Sequence, residues 1–222
     1  MEEIIESKKT NDVVKSISKN QHQIIRDIIK LHIPSGVIDC DPTYSTGKFY
    51  EPKHGIDRPK YVFDIQPQLP YVVQANCSNL PLENESINSL MFDPPFVISK
   101  GPSLELVENE KQNMTHKRFS SFENPKQLFE TYEGAIKEAY RVLNDKGVFI
   151  FKCQDTVSGG KQYFTHCWIV NRASEIGFYP KDLFVLEGKS RIISGKHKNQ
   201  QHARKFHSYF WVFTKEKSKV LY

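Results

Sequence analysis

The sequence predicts an α/β domain built on a mostly parallel seven-stranded sheet, covered by helices on both faces, with an antiparallel strand at one edge. Three observations predict it. Short apolar runs alternate with segments of helical spacing, as parallel strands joined by crossover helices require. Acidic and polar residues fall at the carboxyl ends of those runs, where ligands collect in open sheets of this kind. The last two runs have no helix between them, which favours an antiparallel pair.

Helical spacing first appears at Ile24, Ile25, Ile28, Ile29 and Ile33, with Asn20 and Gln23 placed as a capping pair and Pro34 as the stop. Gly36 then opens Val37-Ile38-Asp39-Cys40, the first strand. Tyr61-Val62-Phe63 and Val72-Val73 are the second and third. The fourth, Ser89-Leu90-Met91-Phe92, stops at Asp93-Pro94-Pro95-Phe96 because neither proline can donate to a sheet ladder. Asn124 and Pro125 suit the start of a helix whose apolar face runs from Leu128 through Tyr132, Ile136 and Ala139 to Leu143. Residues 144–147 turn the chain into a fifth strand, Val148-Phe149-Ile150-Phe151. A helix over residues 164–176 ends at Gly177, and residues 183–186 and 208–213 supply the last two strands.

A chain of 222 residues can bury roughly 70% of its unfolded surface without staples. With 38% hydrophobic and 12% aromatic residues it is neither disordered nor fibrous. No apolar run approaches the ~20 residues of a membrane span, and the first residues lack the basic start and apolar stretch of a secretory signal. The four cysteines are scattered without a Cys-x-x-Cys pair, so no metal, no disulfide framework and a cytoplasmic location are expected. The expected organisation is an extension over 1–19, then one domain over 20–222 with insertions at about 97–123 and 188–207.

Asp93-Pro94-Pro95-Phe96 carries the sharpest chemistry. Two prolines hold a rigid extended turn, so the Asp93 carboxylate and the Pro94 carbonyl can face a cleft together as acceptors. Two acceptors suit an amino group with two hydrogens, and Phe96 offers a face on which a planar base can stack. Hydrogen bonds to the amine would draw its lone pair out of ring conjugation and make the nitrogen nucleophilic. The same four residues also make an ordinary strand-terminating turn.

The motif and its place after the fourth strand resemble those of S-adenosylmethionine-dependent amino-methyltransferases acting on adenine N6 or cytosine N4 of DNA, with relatives acting on RNA. The resemblance runs from about residue 20 to 213 and implies a single Rossmann-like class I methyltransferase domain. It implies catalytic roles for Asp93, Pro94, Pro95 and Phe96. The family's cofactor turn, Asp-Pro-Phe-x-Gly-x-Gly, is similar to Asp41-Pro42-Thr43-Tyr44-Ser45-Thr46-Gly47, with Thr43 in place of Phe and Ser45 in place of the first glycine. The resemblance further implies that Asp64 binds the ribose hydroxyls of S-adenosyl-L-methionine. Asn76 and Cys77 follow the third strand, where the family often has an acidic residue near the adenine.

For nucleic-acid contacts the candidates are Lys152 at the end of the fifth strand, Lys117 and Arg118 in the first insertion, and Lys196, Lys198, Arg204 and Lys205 in the second. The span 188–207 holds six Lys and Arg and no acidic residue, so it exceeds the chain's whole formal charge of +5 and leaves the remainder at −1. A solvated connection would look the same. The reading is therefore transfer of a methyl group to an exocyclic amine of a nucleic-acid base. Adenine N6 in DNA is favoured, because cytosine N4 enzymes usually carry Ser where this chain has Asp93. An RNA base amino-methyltransferase and an inactive nucleic-acid-binding relative are the alternatives. No membrane is expected as a partner, and the short insertions leave room for a protein partner in target recognition.

Overall fold

The computed structural model describes residues 13–98, 121–188 and 200–216. Among the described residues, ten strands and three α-helices follow in chain order. They are β1 (Ile17–Ser18), α1 (Gln21–His32), β2 (Cys40–Asp41), β3 (Tyr61–Asp64), β4 (Val73–Gln74), β5 (Ile87–Phe92), α2 (Pro125–Val142), β6 (Leu143–Cys153), β7 (Thr156–Ser158), β8 (Lys161–Tyr163), α3 (Thr165–Ile176), β9 (Phe178–Glu187) and β10 (His207–Lys215). Eight strands form one sheet in the order β1-β9-β10-β6-β5-β2-β3-β4, and β7 and β8 form a separate hairpin.

This is the mostly parallel α/β fold the sequence predicts, with two corrections. The sheet has eight strands rather than seven, because Ile17 and Ser18 pair in parallel with Val185 and Leu186. The antiparallel strand, expected at an edge, is β10, and it lies inside the sheet between β6 and β9. Both faces of β10 are apolar, Phe210 and Val212 on one and Trp211 and Phe213 on the other, and only an interior position covers both. The edge falls instead to β1, whose Ile17 is exposed.

Alternation along the strands sorts the core into two layers. Leu90, Phe92, Phe149, Phe151 and Phe213 pack with Leu128, Tyr132, Ile136, Ile169 and Ala173 of α2 and α3. On the opposite face Met91, Val148, Ile150, Phe210 and Val212 pack with Ile24, Ile25 and Ile28 of α1. Each fully buried Ile of α1 contributes about 1.5–3 kcal/mol. The Asn20 side chain caps α1 by accepting from the N–H groups of His22 and Gln23. Asn124 caps α2 through the N–H of Gln127, with Pro125 in the first turn.

The turn expected at residues 144–147 is a bulge inside β6: Ile87 pairs with Leu143 but Ser89 pairs with Val148, and Lys146 adopts a left-handed φ of 61°. Gly159 and Gly160, both at positive φ, make the two-residue turn of the β7–β8 hairpin, a Gly-Gly signal overlooked in the sequence. Among the described residues no helix is long and apolar enough to cross a membrane.

Candidate active site

β5 lies inside the run of parallel strands, with β6 on one side and β2 on the other, so the segment leaving its carboxyl end is flanked by what leaves theirs. The turn after β2 is organised by the buried Asp41. Its Oδ1 accepts from the Thr43 N–H at 2.8 Å and the Thr43 hydroxyl at 3.0 Å, and its Oδ2 from the Tyr50 hydroxyl at 2.8 Å. Burial pushes the Asp41 pKa up to about 7 despite those three donors, and the negative charge of Asp93 adds to the rise. Pro42 is buried beside it.

Ser45 and Gly47 both adopt the left-handed backbone, with φ of 51° and 65°. Ser45 thus holds a backbone conformation that favours glycine, and its N–H donates to Asp64 Oδ2 at 2.8 Å. The Tyr44 ring lies over Gly47 and stacks on Tyr50 at 5.4 Å between centroids. Asp64, at the end of β3, also accepts from the Gln66 N–H through Oδ1 at 2.8 Å. Asn76 is exposed and its Oδ1 accepts from the Ser78 N–H. Cys77 packs against the core, and burial raises its thiol pKa to about 11.

Asp93-Pro94-Pro95-Phe96 leaves β5 into the same place. The Asp93 N–H donates to the Thr43 hydroxyl at 2.8 Å. The Tyr132 hydroxyl donates to the Pro95 carbonyl at 2.8 Å and fixes the turn against α2. Tyr132 counts as plain core in the sequence, yet a buried phenol needs a partner, and that requirement was the overlooked signal.

Lys152 departs from the expectation of a phosphate contact. It is 8% exposed, and its ammonium pairs with Asp93 Oδ2 at 3.1 Å. The rings of Phe49, Phe96 and Phe210 surround it with centroids at 5.1, 5.7 and 5.5 Å. The physical reason is its position near the end of an interior strand, where alternation turns it into the layer of α1. Burial raises the Asp93 pKa and Lys152 opposes that rise without cancelling it.

Gln21 Oε1, 3.5 Å from the Lys152 ammonium, joins this cluster to a groove of about 320 Å³ lined by Lys19, Asn20, Gln21, His22, Leu186, Glu187 and Gly188. Gln154 and Asp155 have structural partners: Gln154 donates to the His207 carbonyl, and Asp155 holds the His166 ring at 2.7 Å. Arg204 is exposed and Lys205 is partly buried, in a segment whose His202 ring nitrogen lies 2.9 Å from the Gly160 carbonyl at the hairpin tip. Lys117, Arg118, Lys196 and Lys198 lie outside the described residues.

The arrangement places one ionisable acceptor and one aromatic face at the end of β5, between an acidic, tightly turned backbone on the β2 and β3 side and a buried cation on the β6 side. Against this geometry, the model of the N6/N4 DNA methylase family matches residues 87–221. No curated protein matches the chain significantly. Among solved structures, a provisionally assigned DNA modification methylase of Thermus thermophilus, complexed with S-adenosyl-L-methionine, is 12% identical with a TM-score of 0.43 over 65% of this chain and 54% of its own. The chain thus spans about half the length of that protein. A provisionally assigned methyltransferase bound to the Trm112 activator of Haloferax volcanii is 8% identical with a TM-score of 0.51, over 90% of this chain and 91% of its own. A provisionally assigned hemolysin of Lactococcus lactis is 15% identical with a TM-score of 0.52, over 90% and 88%. At such identities the likeness is one of fold. The family match covers more than half of the chain, including β5, the Asp93 motif and β6, and on that ground the chain belongs to the N6/N4 DNA methylase family.

Proposed function

We propose that the protein transfers the methyl group of S-adenosyl-L-methionine to an exocyclic amino group of a nucleic-acid base, adenine N6 in DNA. The observation that supports this reading is the hydrogen bond from the Asp93 N–H to Thr43, which holds the Asp-Pro-Pro-Phe segment against the turn after β2. The residues fit the donor. Asp64 holds two backbone N–H groups and retains lone pairs for ribose hydroxyls, beside the Asp41 to Gly47 turn whose Ser45 N–H is one of the two. S-adenosyl-L-methionine supplies an electrophilic methyl group on a sulfonium.

The chain's own part is alignment. Asp93 and Pro94 accept from the amine, localise its lone pair and point it along the line of attack, and Phe96 stacks the base once it is out of its duplex. The nitrogen–carbon bond forms as the carbon–sulfur bond breaks, and the amine releases one proton to solvent. Arg204 and Lys205, with Lys117, Arg118, Lys196 and Lys198, contact phosphates.

Transfer of labelled methyl groups to unmethylated DNA and to RNA tests the reading, with nucleoside analysis of the product. The expected result is N6-methyladenine in DNA, lost with Asp93→Ala. Equal transfer by Asp93→Ala and wild type overturns the mechanism. Product confined to RNA overturns the substrate, and product on cytosine N4 the target base.

A further inference from the structure

The Lys152 ammonium sits in a place a cation does not occupy without cause. Removing it from water is costly and must be offset by partners, and it lies among three ring faces with one carboxylate oxygen at 3.1 Å and one amide oxygen at 3.5 Å. Its carboxylate partner is the acid of the methylation motif itself.

The strand order gives the pairing a direction. Asp93 leaves β5, with Lys152 on β6 to one side and Thr43 after β2 on the other. Lys152 holds Oδ2 toward β6 while Thr43 holds the Asp93 backbone toward β2, so the residue is anchored at its main chain and at one carboxylate oxygen. The other titratable groups around Asp93 do not help it ionise. Asp41 after β2 carries like charge, and the Tyr50 and Tyr132 hydroxyls are already donated to Asp41 and Pro95. Burial raises the Asp93 pKa, and Lys152 is the opposing charge. Protonated, Asp93 would present an O–H to an amine that is itself a donor, and the acceptor would be lost.

We propose that Lys152 is a positioning residue, holding Asp93 ionised with Oδ2 engaged so that Oδ1 is aimed at the target amine. This rests on the function proposed above. Lys152 thus contributes through Asp93, and not through a phosphate.

Two readouts test it on the full chain: the pH dependence of turnover with labelled S-adenosyl-L-methionine and DNA, and the carboxyl carbon NMR titration of Asp93. With Lys152→Met, both the acid limb and the titration midpoint should rise by about one pH unit or more, with about a tenfold loss of turnover below the new midpoint. Donor affinity should stay within about twofold, because tenfold or more would mark a general disruption of the cleft. Lys152→Arg should restore both positions. In an Asp93→Asn background, which cannot titrate, Lys152→Met should produce no shift of the acid limb. Lys152→Gln gives the same reading if the Met variant does not fold. An unshifted midpoint, or a loss of turnover equal at every pH, overturns the proposal. If the wild type methylates neither DNA nor RNA, the functional reading fails, while the Asp93 titration still decides whether Lys152 holds the carboxylate.

Discussion

The backbone N–H of Asp93 donates to the hydroxyl of Thr43 at 2.8 Å, and that hydroxyl donates onward to Asp41 at 3.0 Å. The turn after β2 and the turn after β5 are therefore one hydrogen-bonded unit, built on the Thr43 side chain. Thr43→Val keeps the volume and deletes the hydroxyl, leaving a half-buried N–H without its acceptor. A loss of about 1–3 kcal/mol in urea unfolding is expected, and Thr43→Ser should recover most of it. Unchanged stability in Thr43→Val would show that the two turns are held independently.

Ser45 and Gly47 predict opposite responses in the same turn. A left-handed backbone costs an ordinary residue roughly 1–2 kcal/mol, partly offset in glycine by its larger unfolded-state entropy. Ser45→Gly should therefore raise stability by about 0.5–1 kcal/mol, its N–H bond to Asp64 being main-chain and retained. Gly47→Ala combines the strained φ of 65° with a methyl carbon 2.5 Å from the Tyr44 ring, so it should destabilise and weaken donor binding. Thermal melting and calorimetry check both.

Asp41 makes stability depend on pH in the direction opposite to a paired carboxylate. Its pKa is about 7 in the folded chain against an ordinary 3.8, so the folded state binds the proton more tightly. Its contribution is most favourable below pH 3.8 and is lost as pH rises toward about 7, at roughly 1.4 kcal/mol per unit, or about 4 kcal/mol in all. Asp41→Asn should flatten this dependence. The difference in unfolding free energy between variant and wild type should move in the variant's favour from about pH 4 to 7 and then level off.

Glu138 on α2 has the opposite sign. Burial alone would raise its pKa, but the Arg141 guanidinium and the Leu80 N–H outweigh that and hold it below its ordinary 4.5. Arg141 also donates to the Leu80 and Leu82 carbonyls, so the pair ties the segment before β5 to the helix. Stability from Glu138 is complete above pH 4.5 and falls as acid protonates it. Glu138→Ala should cost about 3 kcal/mol at neutral pH, and less in acid. An equal cost at both pH values would mean that only packing is lost.

Much of the fold could be read from the residues in order. The isoleucines of α1, the capped start of α2 and the apolar strands follow from local spacing, and local spacing is a property of neighbours in the chain. Asp93-Pro94-Pro95-Phe96 was equally plain, because proline restricts the backbone wherever it stands. The place of β10 was not, since its both-sided apolar pattern states that it is interior without stating between which strands. The two residues of β1 are too few to carry a pattern at all.

The sequence by itself determined an α/β sheet, the Asp-Pro-Pro-Phe motif after an apolar strand and the local concentration of positive charge in 188–207. Only the tertiary structure decided what that motif touches. Lys152 follows Asp93 by 59 positions and Thr43 precedes it by 50, and no periodicity links residues so far apart. Their meeting depends on β5 lying between β6 and β2, an order set by the packing of two faces at once. For the same reason a lysine that looks like a surface phosphate ligand in the sequence is a buried partner of the acidic residue in the structure.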